Sequence, residues 1–312
     1  MAIRTFQPGD EIAQVSIYNE ASADLPKFKA ATLEDVRRRR HAPDFDTSAR
    51  FYAEENGSVV GYAHFLPNGR VNYPWCRNGH EQHAGPLFEA VIDAMRQRGM
   101  KKAFAAYRAD WAPQSAFFLE HGFEKKRDMV NFVLDLAEMP TPAARPHSPI
   151  APLEASEIKY AFELVSGNVG ASTVEELEQH LLHNKYFPAS SCFLVRDRND
   201  GKPSAVGVLI ENSAYADPYK VDSGMPCFRL GAFGTEGMQV KRINGMFSFL
   251  ARPNSSVNML GLELLSQAAR RLDSSNVATV AAQVPSDLAH LHRFYQQYFR
   301  RQGSFPVYER SL

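Results

Sequence analysis

Hydrophobic positions along the chain follow two spacings, one typical of helices and one typical of strands. Apolar residues recur at helical intervals in residues 85–99 and again in residues 259–272. Residues 50–65, "RFYAEENGSVVGYAHF", alternate between apolar and polar positions and are interrupted by Asn56-Gly57, a strong signal for a tight hairpin turn. The chain is therefore predicted to combine helices and strands in an α/β (α+β) fold.

The same order of elements occurs twice along the chain. In each half a capped helix comes early, with Thr32 three residues before Asp35 and Thr173 three residues before Glu176. Each half then predicts a hairpin, a strand, a long helix, a strand, a short helix and a last strand. An ordered match of this length favours an internal duplication, with chance similarity between two α/β domains as the alternative. The segments after the hairpins are 70–75, 85–99, 101–108, 115–123 and 130–136 in the first half, and 245–253, 259–272, 278–284, 288–299 and 304–312 in the second.

A proline-rich segment separates the two halves. Residues 137–152, "AEMPTPAARPHSPIAP", contain five prolines and no apolar period. Proline lacks an amide donor and fixes its backbone, so this composition is typical of an extended linker. The sequence therefore predicts an N-terminal domain over 1–137, a linker over 138–152 and a C-terminal domain over 153–312.

Composition and charge narrow the possible partners. The 312 residues are 44% hydrophobic, and 35 Lys and Arg balance 35 Asp and Glu. Neither half has an excess of positive charge, so nucleic acid is disfavoured as the main partner. The sequence has no run of about 20 apolar residues that would predict a membrane span, and its start "MAIRTFQPGD" lacks the apolar core of a signal peptide.

The cysteine content indicates the compartment. Cys76, Cys192 and Cys227 are three in number and fit no disulfide framework, so we expect reduced thiols in a cytoplasmic protein.

The end of the first short helix resembles a known family. Residues 116–126, "AFFLEHGFEKK", are similar to the stretch A-x-x-[FY]-[LY]-E-x-x-G-F of the GNAT superfamily of acyl-CoA-dependent N-acetyltransferases. The order of predicted elements in each half also resembles that family, and two copies in one chain resemble the mycothiol synthase-like arrangement. The resemblance implies two tandem domains, each a mixed, splayed central sheet flanked by helices. It also implies acetyl-CoA or another acyl-CoA as cosubstrate, and one active copy beside a degenerate one.

In that family a loop before the long helix, roughly Arg/Gln-x-x-Gly-x-Gly/Ala, holds the cofactor's pyrophosphate with backbone amides at the helix N-terminus. In the first copy the matching stretch is "HEQHAG", where His83 replaces the first glycine. In the second copy Ser256 stands for the Arg or Gln and Met259 for the first glycine. The resemblance therefore implies these cofactor-binding candidates: His80, Gln82, His83, Ala84, Gly85, Ser256, Met259, Leu260 and Gly261.

The resemblance also indicates where catalytic groups would lie. Family members usually protonate the leaving thiolate with a tyrosine on the helix before Gly-Phe. The first copy has Phe118 there, which donates no proton, whereas the second copy has Tyr295. Tyr295 is therefore the predicted general acid, with a ring that is merely buried in the core as the alternative.

For the base that accepts the amine proton the sequence leaves several candidates open. Glu236 is the first, although it is equally typical of a solvated loop carboxylate. The other candidates are His290, His292 and, in the first copy, the polar residues Tyr107, Arg108 and Asp110.

Cys76, His80 and His83 raise the question of zinc, since a thiolate and two imidazoles are ordinary zinc ligands. Their spacing matches no familiar zinc motif, and the sequence prediction is that no metal is bound.

The sequence thus predicts an enzyme that transfers an acyl group from acyl-CoA to a primary amine of a small molecule or peptide, as a monomer or homodimer, without nucleic acid or membrane partners. The first alternative is a catalytically inactive acyl-CoA sensor or scaffold. A further alternative, an aminoacyl transferase that uses charged tRNA, is disfavoured by the neutral charge of each half.

Overall fold

The computed structural model describes residues 2–26, 28, 30–41, 45–139, 150–165, 173–184, 187–197, 200–211, 245–252, 257–272 and 279–312. Contacts within the chain separate two compact units. Unit 1 comprises residues 2–128 together with 304–312, and unit 2 comprises residues 129–303. In the described ranges no helix combines the length and the apolar character needed to cross a membrane.

The elements follow the predicted order. Unit 1 contains β1 (Ala2–Thr5), α1 (Asp10–Ala21), α2 (Leu33–Arg40), β2 (Arg50–Glu55), β3 (Ser58–His64), β4 (Trp75–Cys76), α3 (Ala84–Gln97), β5 (Lys102–Ala106) and α4 (Ala112–Glu120). Unit 2 contains β7 (Ile150–Pro152), α5 (Ile158–Val165), α6 (Val174–Leu181), β8 (Cys192–Arg196), β9 (Pro203–Glu211), β10 (Gly245–Ala251), α7 (Val257–Leu272), β11 (Thr279–Pro285) and α8 (Ala289–Tyr298). Two further strands, β6 (Glu124–Asp135) and β12 (Arg300–Ser311), each contribute residues to both units.

Each unit is built around strands with helices packed on them. In unit 1 the strands β1, β2, β3 and β4 pair in that order and antiparallel, and β5 pairs antiparallel with residues 307–311 of β12. In the described part of unit 2 the order is β6, β11, β10, β9, β8 and β7, and among these pairs only β10 and β11 run parallel. The prediction of mixed sheets flanked by helices is confirmed.

The last strands of the two copies are exchanged. Residues 129–135 of β6 follow the first copy in sequence but pair with β11 of unit 2. The C-terminal residues 307–311 of β12 pair with β5 of unit 1. This division differs from the predicted boundaries at 137 and 153. In addition, the last three residues of the predicted linker form β7, while residues 140–149 of that linker lie outside the described part of the chain.

The turn and the caps predicted from local sequence signals are confirmed. The hairpin between β2 and β3 turns at Asn56 and Gly57, which both have positive φ, 50° and 75°. The Thr32 hydroxyl accepts the Asp35 amide at 3.1 Å, and the Thr173 hydroxyl accepts the Glu176 amide at 3.2 Å. These interactions satisfy amides that the first turn of a helix leaves without a partner.

The Gly-Phe stop of α4 is confirmed in detail. Gly122 has φ +77°, the left-handed conformation that glycine adopts without a steric cost. The Phe123 amide donates to the Phe118 carbonyl at 3.0 Å, which closes the helix end, and the Phe123 ring is 2% exposed. The chain thus ends the helix, fixes a ring in the core and enters β6 within three residues.

Candidate functional site

The first candidate site is the parting of two parallel strands in unit 2. Strands β10 and β11 pair at Gly245 with Val280 and at Met246 with Ala281, and the described residues beyond these show no further pairing between them. Strand β10 nevertheless continues to pair with β9 as far as Ala251, and β11 continues to pair with β6. The two strands therefore diverge toward their C-terminal ends and form a wedge.

Backbone groups of β10 face this wedge. The Arg252 amide donates to the Ser204 carbonyl at 3.0 Å, so this residue faces β9. Successive residues of a strand present their amides to opposite sides, so the amides of Phe249 and Ala251 face away from β9, toward β11. An extended ligand with its own amides can pair with such an edge as an added strand would.

Tyr295 of α8 lies in the core of unit 2. It is 1% exposed, and its ring centroid is 5.9 Å from that of Phe249 on β10 and 5.7 Å from that of Phe132 on β6. These two strands flank β11, so the ring packs across the region where β10 and β11 part. This packing explains an aromatic ring at position 295, as the alternative of a ring merely buried in the core would have it. The role of Tyr295 as proton donor stays a prediction.

The helix that follows β10 begins at Val257. Of the residues predicted to hold the cofactor here, Met259 is 45% exposed, whereas Leu260 is 6% exposed and belongs to the core. A Cβ at Gly261 would lie 2.6 Å from Phe294 Cε2 and 2.7 Å from Phe249 Cζ. The absence of a side chain at Gly261 is therefore explained by the close packing of α7 against β10 and α8. Ser256 and Glu236 lie outside the described residues. The two base candidates His290 and His292 lie half-buried on α8, and the His292 ring packs edge-to-face on Phe132 at 5.4 Å.

Unit 1 has an equivalent parting between β4 and β5. A parallel bridge joins Arg70 to Phe104, and the described residues beyond it show no further pairing between the two segments. The Asn72 amide donates to the His64 carbonyl, and Trp75 is the partner of Tyr62. Residues 73 and 74 therefore lie opposite the single residue 63. This arrangement is a β-bulge, which bends the strand away from its neighbour.

The bulge in unit 1 has no amide left for a ligand. The Tyr73 amide donates to the Tyr107 hydroxyl at 2.5 Å, and Pro74 has no amide proton. Burial raises the pKa of Tyr107 to about 12, although the Tyr73 amide opposes this shift. The hydroxyl thus stays protonated while it accepts the Tyr73 amide.

Aromatic rings fill the parting in unit 1. The Tyr73 ring packs edge-to-face on Phe117, at 5.1 Å between centroids, and the Tyr107 ring stacks on Phe118 at 5.7 Å. Trp111 adds a further stacked contact with Tyr107 at 6.0 Å. Arg108 and Asp110, the other polar candidates at this strand end, bond to each other at 2.9 Å. They form an ion pair just after β5, and a catalytic role for them stays a prediction.

The helix start in unit 1 carries a charged cluster that the sequence analysis did not foresee. The Glu55 Oε2 atom lies 2.9 Å from His80 Nδ1 and 3.3 Å from His83 Nε2. Hydrogen bonds from His83 and from His80 lower the pKa of Glu55, so a carboxylate lies beside the turn that precedes α3. His83 is 7% exposed and fills the position of the expected glycine.

The other candidates of this loop are placed as follows. Gln82 is exposed, with its amide nitrogen 3.5 Å from His83 Nε2, and Ala84 packs partly on the unit 1 core. A Cβ at Gly85 would meet no atom within 4 Å, so this helix start is sterically accessible. Glu55 was missed because it lies 25 residues before His80, at the end of another strand. The only sequence signal that could have suggested it is a carboxylate at the end of a hairpin strand together with a histidine-rich loop later in the same half.

Comparison with known proteins identifies relatives for part of the chain. No protein-family profile matches it. The mycothiol acetyltransferase of Thermomonospora curvata is 44% identical over 63 residues, and that of Acidothermus cellulolyticus is 38% identical over 95 residues. These segments cover 20% and 29% of this chain and 21% and 28% of the two relatives.

Comparison with solved structures covers the whole chain. A GCN5-related N-acetyltransferase from Sphaerobacter thermophilus has a TM-score of 0.62 at 16% identity, over 99% of this chain and 95% of that one. A tandem GNAT protein from the clavulanic acid biosynthesis pathway has a TM-score of 0.55 at 12% identity, over 99% of this chain and 98% of that one. At such identities the likeness concerns the fold.

Proposed function

We propose that this chain, which has the tandem GNAT fold, is an acyl-CoA-dependent N-acyltransferase whose catalytic copy is unit 2. It transfers an acetyl or other acyl group from acyl-CoA to a primary amine of a small molecule or peptide. The observation that carries this proposal is the wedge in unit 2, where β10 parts from β11 after two parallel pairs.

The wedge suits an acyl-CoA in a specific way. Pantetheine is extended and carries amides, so it can bond to β10 at the amides that face the gap. One such backbone amide would donate to the thioester carbonyl oxygen. That oxygen becomes an oxyanion in the tetrahedral intermediate of acyl transfer, so the amide would stabilise the intermediate. The amine attacks the thioester carbonyl, the C–N bond forms, and the nitrogen gives one proton to a base, for which Glu236, His290 and His292 are the candidates. The thiolate leaves when the C–S bond breaks. A donor must then protonate that thiolate, and Tyr295 is the proposed donor.

Unit 1 is the proposed degenerate copy. Its bulge amide is bonded to Tyr107, and Phe118 stands in place of the proton donor. Each of these features removes one requirement of acyl transfer, which favours unit 2 as the site of catalysis.

The first experiment measures thiol release from acetyl-CoA with a panel of amines. The relatives' name, mycothiol acetyltransferase, places acceptors related to mycothiol first on that panel, followed by amino sugars and peptide N-termini. Acyl-CoA binding is measured separately as a rise in the unfolding temperature, because a ligand that binds only the folded state stabilises it. If the protein neither bound acetyl-CoA nor released thiol from it at millimolar concentration, the proposal would be contradicted.

An inactive acyl-CoA-binding protein is the second candidate function. The departures from the family loop in both copies favour it, since His83 and Met259 stand where glycines are expected. The two experiments separate the candidates: a stability increase with acetyl-CoA but no thiol release with any amine would select the sensor.

The role of Tyr295 is tested by Tyr295→Phe, with Tyr298→Phe on the same helix as the matched control. If Tyr295 protonates the thiolate, we expect kcat to fall by about 10²-fold or more, the usual contribution of a positioned acid, while the fold is retained because the ring stays. Tyr298 is only half-buried and packs its ring against Phe294, so its substitution should leave kcat unchanged. Equal turnover for the wild type and Tyr295→Phe would remove Tyr295 from the mechanism.

A further inference from the structure

The cluster at the start of α3 brings three metal-ligating side chains together from separate parts of unit 1. Glu55 ends β2, and His80 and His83 lie on the turn before α3. One ligand atom from each residue lies within 4.8 Å of those from the other two, and Glu55 Oε2 is near both His80 Nδ1 and His83 Nε2. Two imidazole nitrogens thus converge on a single carboxylate oxygen.

The separations fit the coordination shell of a small divalent ion. Zinc binds histidine nitrogen and carboxylate oxygen at about 2.0–2.2 Å. Two ligand atoms on such bonds, at the angles of octahedral or tetrahedral coordination, lie about 2.9–3.4 Å apart. The observed distances from Glu55 Oε2 are 2.9 Å to His80 Nδ1 and 3.3 Å to His83 Nε2. Small shifts of the side chains would therefore admit an ion between the three atoms.

The backbone holds the ligands in place. The His83 amide donates to the His80 carbonyl at 3.1 Å, and the His80 amide donates to the Arg77 carbonyl at 3.0 Å. Glu55 is fixed by the hairpin register with Ser58. The His83 side chain is 8% exposed, whereas those of His80 and Glu55 are each 33% exposed. The cluster is thus rigid on its inner side and reachable from solvent on its outer side.

We propose that Glu55, His80 and His83 form a binding site for a divalent transition-metal ion, of which Zn²⁺ is the first choice. Two imidazoles and one carboxylate suit Zn²⁺, Co²⁺ or Ni²⁺, whereas Mg²⁺ and Ca²⁺ prefer oxygen ligands alone. Three protein ligands leave a fourth position for water. The bound ion links the end of β2 to the start of α3, at the place where the family loop holds a pyrophosphate.

This proposal differs from two expectations from the sequence, which stay untested. His80 and His83 were predicted to contact the cofactor, with no metal, and the zinc alternative included Cys76. Burial raises the pKa of the Cys76 thiol to about 12, which disfavours the thiolate that a metal would need. Glu55 replaces it as the third ligand.

The test uses the whole 312-residue chain after chelation and dialysis. Titration with ZnCl₂ should give one ion per chain by calorimetry and by elemental analysis, and Zn²⁺ should raise the unfolding temperature. Co²⁺ should bind at the same stoichiometry and give visible absorption bands. No saturable binding of Zn²⁺ or Co²⁺ at micromolar concentration, by protein with a native circular dichroism spectrum, would overturn the proposal.

Variants locate the site. Glu55→Gln and His83→Asn should each weaken Zn²⁺ binding at least about tenfold, by analogy with the losses seen when a metal's supporting groups are changed. The matched controls are Glu81→Gln, an exposed carboxylate on the same turn, and His183→Asn, from an exposed His–Glu pair in unit 2. The controls should bind as the wild type does. Unchanged binding by Glu55→Gln would overturn the assignment, and because Glu55 is one-third exposed, that variant decides the matter if His83→Asn fails to fold.

These measurements involve neither acetyl-CoA nor an amine, so their failure would leave the proposed transferase function untouched.

Discussion

At the residue scale, two glycines that occupy the same position of the family's cofactor loop, one in each copy, have different physical roles. Gly85 lies at the start of α3 with open space where a Cβ would be, whereas Gly261 lies inside α7 against Phe249 and Phe294. Both fit the family spacing equally well. The sequence could not separate them, because the distinction depends on rings contributed by β10 and α8.

These two glycines form a matched pair for mutation. Gly261→Ala should lower the free energy of unfolding by about 1–3 kcal/mol, because the new methyl group overpacks a site between two buried rings. Gly85→Ala should be neutral or stabilise by up to about 1 kcal/mol, because alanine favours the helix and meets no neighbour. Urea unfolding of both variants measures the difference. If the Gly261→Ala protein were as stable as the wild type, the core around α7 would be less tightly packed than the structure shows.

At the element scale, the sequence predicted best where one residue decides the local conformation. The stop of α4 at Gly122, the hairpin at Asn56 and Gly57 and the caps at Thr32 and Thr173 are all confirmed. Each depends on the backbone freedom or the hydrogen-bonding capacity of residues that are close in sequence.

Elements were less predictable where the partner is distant in sequence. The segment at 70–75 was expected to be one strand, yet only Trp75–Cys76 pair regularly, because the bulge at residues 73 and 74 interrupts the pairing. The Tyr107 hydroxyl, which accepts the Tyr73 amide, belongs to the residue that follows β5. Neither contact leaves a signal in the hydrophobic pattern.

An ion pair that links two elements of unit 1 gives a prediction for pH. Asp46, just before β2, accepts from Arg98 Nη1 at 2.6 Å, just after α3. This hydrogen bond lowers the pKa of Asp46 to about 2 from a model-peptide value of 3.8. The folded-state pKa is depressed, so the stabilising effect is present above about pH 4 and is lost as the pH falls toward 2.

We therefore expect Asp46→Asn to unfold at a lower temperature than the wild type at pH 7, and the difference to vanish near pH 2. Both side chains are more than one-third exposed, so the loss should be only about 0.5 kcal/mol. Thermal unfolding between pH 7 and pH 2 measures it. Arg98→Gln should reproduce the pH dependence of Asp46→Asn, and a pH-independent difference would contradict the assignment to this carboxyl.

At the scale of the whole molecule, the sequence predicted two copies of one fold but not which strand completes which copy. Residues 130–136 and 304–312 have similar apolar patterns, and each follows a short helix in the same way. Either could pair with either fifth strand on pattern alone. The structure gives residues 304–312 to unit 1 and residues 129–135 to unit 2, so each compact unit depends on a strand from the other copy's sequence.

This exchange predicts where a C-terminal mutation acts. Tyr308 of β12 is 5% exposed, belongs to the unit 1 core with Phe88 and Phe118, and pairs with Ala105 of β5. Tyr308→Ala should cost about 3–5 kcal/mol in stability, as truncation of a large buried aromatic residue does. Hydrogen exchange followed by mass spectrometry should then show faster exchange in β5 than in the wild type, with β11 less affected, because β11 pairs with β6 and β10.

The conservative variant Tyr308→Phe is the control, since it keeps the ring in the core and should leave exchange in both strands near that of the wild type. If Tyr308→Ala instead accelerated exchange mainly in β11, the C-terminal strand would complete the second copy, as the order of the sequence alone suggests. Protection lost first in β5 would mean that truncation or fusion at the C-terminus perturbs unit 1, although unit 1 is encoded almost entirely at the opposite end of the chain.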